Sequence, residues 1–126
     1  MTTAYVICRL EDIPSRQARG FLLARRGGAG EEIPWPVFIV RWGRHVFAYE
    51  NKCPHQGTRL DWEKDQFMDG AGERLICGKH GALFELDTGR CIVGPCAGAA
   101  LISIPVSVED ADICFLGVDL MEPGED

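Results

Sequence analysis

At 126 residues the chain has the usual size of one domain, and at 46% hydrophobic and 25% charged it has the make-up of a protein that buries a core, which excludes disorder, collagen and a disulfide miniprotein. Nineteen carboxylates against 13 Lys and Arg leave a formal charge of −6, which argues against nucleic acid or an anionic membrane and favours a basic protein partner. No run approaches the roughly 20 apolar residues of a membrane span. Met1-Thr2-Thr3-Ala4-Tyr5 lacks the basic and apolar segments of a leader, so the expected location is the cytoplasm.

Short apolar or alternating runs, broken by glycine, proline and acidic residues, predict an all-β fold in a single domain spanning 1–126. In chain order, strands are expected near Ala4 to Arg9, Phe21 to Arg25, Val37 to Trp42, Val46 to Glu50, Arg74 to Cys77, Leu83 to Leu86, Leu101 to Val108 and Ile113 to Leu120. Between Arg26 and Pro36, Gly27, Gly28, Gly30, Pro34 and Pro36 predict a surface loop. Gly28-Ala29-Gly30 lacks the third glycine of a dinucleotide fingerprint and has no strand-helix unit around it. The clearest hairpin joins Val37-Phe38-Ile39-Val40-Arg41-Trp42 to His45-Val46-Phe47-Ala48-Tyr49-Glu50 through Gly43-Arg44, where glycine supplies the positive φ of a tight turn. Its second arm leads directly to Cys53.

Six cysteines allow three disulfides, but a cytoplasmic chain keeps its thiols reduced, and metal binding explains them better. The chemistry lies in two boxes, Cys53-Pro54-His55-Gln56-Gly57 and Cys77-Gly78-Lys79-His80-Gly81, each offering one thiolate and one imidazole. A binuclear iron centre suits this alternation, with two cysteines on one iron and two histidines on the other. Zinc fingers draw cysteines from one side and histidines from another and match less well. Gly57, Gly78 and Gly81 let backbone approach a bulky inorganic core and aim N–H groups at its sulfurs. Pro54 stiffens the first box.

With these boxes the chain resembles the Rieske iron-sulfur family. The likeness extends to Glu50-Asn51-Lys52, Ala82-Leu83-Phe84, Gly89-Arg90-Cys91 and Gly94-Pro95-Cys96, and covers roughly Ile33 to Val108. It implies an antiparallel β base with an inserted cluster-binding subdomain, about 51–97, and a [2Fe-2S] cluster held by Cys53, His55, Cys77 and His80. The loop Leu60 to Arg74 is longer than is typical of the family. High-potential members carry a bracing disulfide and place a serine and a tyrosine hydroxyl against the cluster. Here the matching positions are Thr58 and Lys79, and Ala82 and Phe84, which implies the low-potential ferredoxin branch. The resemblance also implies solvent-facing His55 and His80 as the electron exit, with Gln56, Lys79 and Pro95 on the docking rim.

An oxygenase would need a further pair of histidines with a carboxylate, and of three histidines only His45 is left over. The expected role is therefore a noncatalytic relay, with a separate reductase as donor and an oxygenase or reductase as acceptor. Two alternatives stand beside it: the Rieske-like small subunit of a nitrite-reductase-type complex, and a zinc-stabilised interaction module. Of the remaining residues, His45 reads as a half-exposed strand residue, Cys8 and Cys114 as core, and Trp35, Trp42 and Trp62 as packing. Cys91 and Cys96 read as thiols in a proline loop shielding the cluster, and Asp61, Glu63, Asp65 and Asp69 as a solvated face.

Overall fold

Every residue from Val37 to Val40 is fully buried. A strand covered on both faces needs a packed layer on each side. The computed structural model describes residues 4–52, 54, 60–61, 66–69, 73–77, 82–94, 98–118 and 120. These form strands β1 (Ala4–Arg9), β2 (Gln17–Arg26), β3 (Glu32–Trp42), β4 (His45–Glu50), β5 (Leu75–Cys77), β6 (Ala82–Phe84), β7 (Cys91–Val93), β8 (Ser103–Ile104), β9 (Val106–Glu109) and β10 (Asp112–Leu116). Among the described residues there is no α-helix, and so none long and apolar enough to cross a membrane.

All pairings are antiparallel, in three sheets: β2-β3-β4-β8, β1-β10-β9 and β5-β6-β7. Period-two alternation sends successive β3 side chains to opposite faces. Trp35, Val37 and Ile39 join Ala48, Ile104, Ile113 and Phe115 in one core, against β1-β10-β9. Phe38 and Val40 join Tyr49, Leu60, Phe67, Leu75, Cys77, Ala82, Phe84, Cys91 and Leu101 in the other, against β5-β6-β7. The four-stranded sheet is thus the middle layer.

The predicted β3–β4 hairpin is present, with Trp42 opposite His45 and Gly43 at φ +63°. Other boundaries differ. The surface loop expected from Arg26 to Pro36 shrinks to 27–31, because β3 already begins at Glu32 and pairs with β2 through Arg26 opposite Glu32. Pro34 and Pro36 fit inside a strand because of where their nitrogens point. The Pro36 carbonyl accepts from the Asn51 N–H at 2.9 Å, away from β2, and the β3–β4 ladder ends at Val37 opposite Glu50. A residue's nitrogen and carbonyl share an edge in an antiparallel strand, so no β2 bond needs the missing N–H groups.

The start of β2, Gln17 to Gly20, is too polar to read as a strand, yet it pairs with Arg41 to Phe38 at the rim of the sheet. The single strand expected over Leu101 to Val108 is two, divided at Pro105: β8 adds to β4, and β9 crosses to pair with β10. The last strand stops at Leu116 instead of Leu120. Leu120 makes only an isolated bridge to Arg25.

Candidate functional site

Cys77 is the last residue of β5 and stands opposite Ala82, the first of β6, so residues 78–81 of the second box link two paired strands. Cys77, Ala82 and Phe84 are each fully buried in the same core. Gly78, Lys79, His80 and Gly81 lie outside the described residues, as do Cys53, His55, Gln56, Gly57 and Thr58 of the first box. Pro54 is exposed. Of the four expected donors, Cys77 is therefore the one whose surroundings are described, and they are apolar.

The described residues that flank the first box in sequence are hydrogen-bonded to one another. At the end of β4, Glu50 N–H donates to Ile102 O and Asn51 N–H to Pro36 O, both at 2.9 Å. The Asn51 side chain then bonds residues nine and ten positions along the chain. Its Oδ1 accepts from Leu60 N–H at 2.7 Å and its Nδ2 donates to Asp61 Oδ1 at 2.9 Å. Asn51 is 3% exposed and Asp61 8%, while the Leu60 side chain is fully buried in the core that holds Cys77. Asp61 is thus no part of a solvated acidic face: it is buried, and its Oδ1 accepts the hydrogen bond that burial of a polar group requires.

Sequence reasoning quoted Asn51 only as part of a likeness and missed its contacts, since a nine-residue reach leaves no local signal. It also missed the Tyr49 hydroxyl, which donates to Leu86 O at 2.7 Å and so bolts the middle sheet to the turn after β6. Burial, with Asp87 adding to it, pushes the Tyr49 phenol well above its ordinary value and keeps it a donor. Phe67 stacks on Phe38 with centroids 4.4 Å apart, and its carbonyl accepts from Ile76 N–H. Part of the long stretch after Leu60 therefore pairs with β5, where Met68 also bridges Leu75.

Cys91 requires a correction. It is the buried first residue of β7, opposite Phe84, instead of a loop thiol, because its N–H donates to Ala99 O and its neighbours complete a ladder on β6. Past β7, Gly94 (φ +109°) lies so close to Ala82 that a Cβ there would sit 2.9 Å from the Ala82 Cα. Pro95 and Cys96 lie outside the described residues.

The remaining residues mostly follow expectation. His45 is exposed at the start of β4. Cys114 is buried, and Cys8 is half-buried against the core, its thiol pushed up to about 11 by burial first and by Asp12 second. Trp35 meets Phe115 edge-on, and Trp42 lies under the Arg16 guanidinium. Asp69 accepts from the Glu73 and Arg74 N–H groups. Trp62, Glu63 and Asp65 lie outside the described residues.

The model of the Rieske [2Fe-2S] domain family matches residues 3–108. The chain belongs to the Rieske family. Among solved structures, this Rieske chain is similar to the ferredoxin of carbazole 1,9a-dioxygenase from Nocardioides aromaticivorans IC177, with a TM-score of 0.68 and 21% identity over 90% of this chain and 96% of that one. It is also similar to a chain of the complex of reduced oxygenase and oxidized ferredoxin in carbazole 1,9a-dioxygenase, with a TM-score of 0.67 and 23% identity over 94% and 97%. A third similar structure is a putative nitrite reductase NADPH small subunit, with a TM-score of 0.60 and 18% identity over 91% and 99%. At these identities the likeness is one of fold, and it agrees with the all-β Rieske architecture. No curated protein matches the chain.

Proposed function

We propose that the chain carries one electron at a time on a Rieske-type [2Fe-2S] cluster, from a separate reductase to an acceptor such as a Rieske oxygenase. The observation that carries this reading is the donor set itself: Cys53 and His55, then Cys77 and His80, both pairs within the stretch that matches the Rieske family. Cys53 and Cys77 would hold one iron, His55 and His80 the other. The surroundings of Cys77 fit this role, because a thiolate buried among Leu75, Ala82 and Phe84 needs a metal to offset its charge. The reading includes one domain over 1–126, with β5, β6 and β7 at the heart of a cluster-binding subdomain of about 51–97.

When bound, the cluster supplies a reversible one-electron couple. Two ferric ions, two sulfides, two thiolates and two neutral imidazoles sum to zero, which makes reduction easier than for a four-thiolate core. The chain then adjusts the couple through what it places nearby. Ala82 and Phe84 are buried side chains with no hydroxyl, so neither donates a hydrogen bond that would favour the extra electron. The potential should lie toward the lower end of the roughly −150 to +300 mV Rieske range. His45 is exposed at the far end of β4 from the first box.

The test is a visible and electron paramagnetic resonance spectrum of anaerobically purified protein before and after dithionite, with iron and sulfide assays. A Rieske signal on reduction with two irons and two sulfides per chain supports the proposal. A zinc-loaded protein that stays silent after reconstitution refutes it and leaves a zinc-stabilised interaction module. The likeness to a nitrite reductase small subunit supports a second reading, a permanent noncatalytic subunit. Purification from native extract separates the two, because a subunit co-elutes in a fixed ratio with a large reductase.

A further inference from the structure

We propose that Asn51 is the positioning residue of the first box: its amide fastens both ends of the segment carrying Cys53 and His55 and sets that segment against the core that holds Cys77. This rests on the Rieske reading and adds to it a residue that holds no metal. The backbone of Asn51 is tied to β3 through Pro36 O, and the preceding residue is tied to Ile102 O. The side chain is tied at both polar atoms, to Leu60 N–H and to Asp61 Oδ1. One side chain therefore ties the chain just before Cys53 to the chain two residues after Thr58.

Leu60 makes the closure matter to the second box. Its buried side chain packs in one core with Leu75, Cys77, Ala82 and Phe84, so where Asn51 holds Leu60 decides where the first box ends relative to Cys77. Binding of a rigid inorganic core requires its donors within a fraction of an ångström of their places. The residue type is also specific. Only a primary amide of this length accepts from a backbone N–H and donates to a carboxylate at once; aspartate would turn an oxygen toward Asp61. Burial of the pair removes the water that would otherwise fill in for a lost bond.

The experiment compares wild type, Asn51→Asp, Asp61→Asn, the double variant and, as a control in the other core, Ile113→Val. Each is reconstituted with iron and sulfide. The readouts are the reduced electron paramagnetic resonance spectrum, the reduction potential, the rate of iron loss to a chelator and the melting temperature. Asn51→Asp is expected to lose iron about 10- to 100-fold faster, the range for residues that orient metal ligands, with shifted or broadened g-values. The double variant restores a donor–acceptor pair, since amide and carboxylate exchange places across the same hydrogen bond, and should recover most of the loss and the wild-type spectrum. Ile113→Val should lower the melting temperature and leave the spectrum and potential unchanged.

The proposal is overturned if Asn51→Asp matches wild type in spectrum and iron loss, if its effects only track melting temperature as in the control, or if the double variant is no better than the single. A wild-type protein without a Rieske signal refutes the cluster reading itself, and this inference with it. A normal wild type beside a normal Asn51→Asp variant refutes the clamp alone.

Discussion

Replacing Gly94 by alanine should loosen the close contact between the end of β7 and the start of β6. Two effects combine there. At φ +109° an L side chain is strained, by about 1–2 kcal/mol. The new methyl would also sit 2.9 Å from the Ala82 Cα and 3.0 Å from its Cβ, and backbone in a paired strand cannot swing aside as a flexible side chain would. Overpacking of this kind adds about 1–3 kcal/mol. Gly98 separates the terms, because it too has a positive φ, +95°, but a Cβ there meets nothing within 4 Å. Gly94→Ala should therefore melt lower than Gly98→Ala by the overpacking term, which at about 3–5 °C per kcal/mol is roughly 3–15 °C. The assay is far-UV circular dichroism of the loaded protein at one scan rate. Equal melting temperatures for the two variants would refute the steric argument, and a Gly94→Ala protein as stable as wild type would refute the backbone argument as well.

Three further outcomes are expected. The β9–β10 turn holds Asp110 and Ala111 at φ +51° and +67°, a conformation that suits glycine, so Ala111→Gly should raise stability by about 0.5–1 kcal/mol in a urea titration. Burial raises Cys8 to about 11, so an unfolding chain loses that proton at lower pH than the folded one. The stability this contributes is whole below about pH 9 and falls away as pH climbs to about 11, and Cys8→Ala should flatten that alkaline decline in urea midpoints measured across the range. Ala82→Ser adds a hydroxyl beside the second box and should raise the reduction potential in protein-film voltammetry, whereas no change would place Ala82 out of reach of the cluster sulfurs.

What was legible in the sequence was what local chemistry encodes. Val37 to Trp42 and His45 to Glu50 announce a hairpin because Gly43-Arg44 and the apolar runs agree on the same turn. The two boxes are legible because paired thiolates and imidazoles have few other uses together. Contacts between distant residues were not legible. Asp61 stands in a run of acidic residues, and only its meeting with Asn51 marks it as buried. Gln17 to Gly20 has Ala18 as its one apolar side chain, too little for a pattern, and its strand state is imposed by the Arg41 to Phe38 segment beside it. Leu101 to Val108 is one apolar stretch to the eye, and the neighbours it finds on either side of Pro105 divide it between two sheets.

Pro34 and Pro36, which argued for a loop, have a further consequence once they are seen inside β3. Beyond Val37 the β2–β3 ribbon continues for five paired positions past the end of β4, with no described strand beside β3 on that side and Leu22 74% exposed. An open edge with apolar flanks is a template on which another chain can build a ladder and begin to aggregate. The two prolines remove the N–H groups that such a ladder would need. On this edge of β3, Pro34 and Pro36 have no donor to offer an incoming strand.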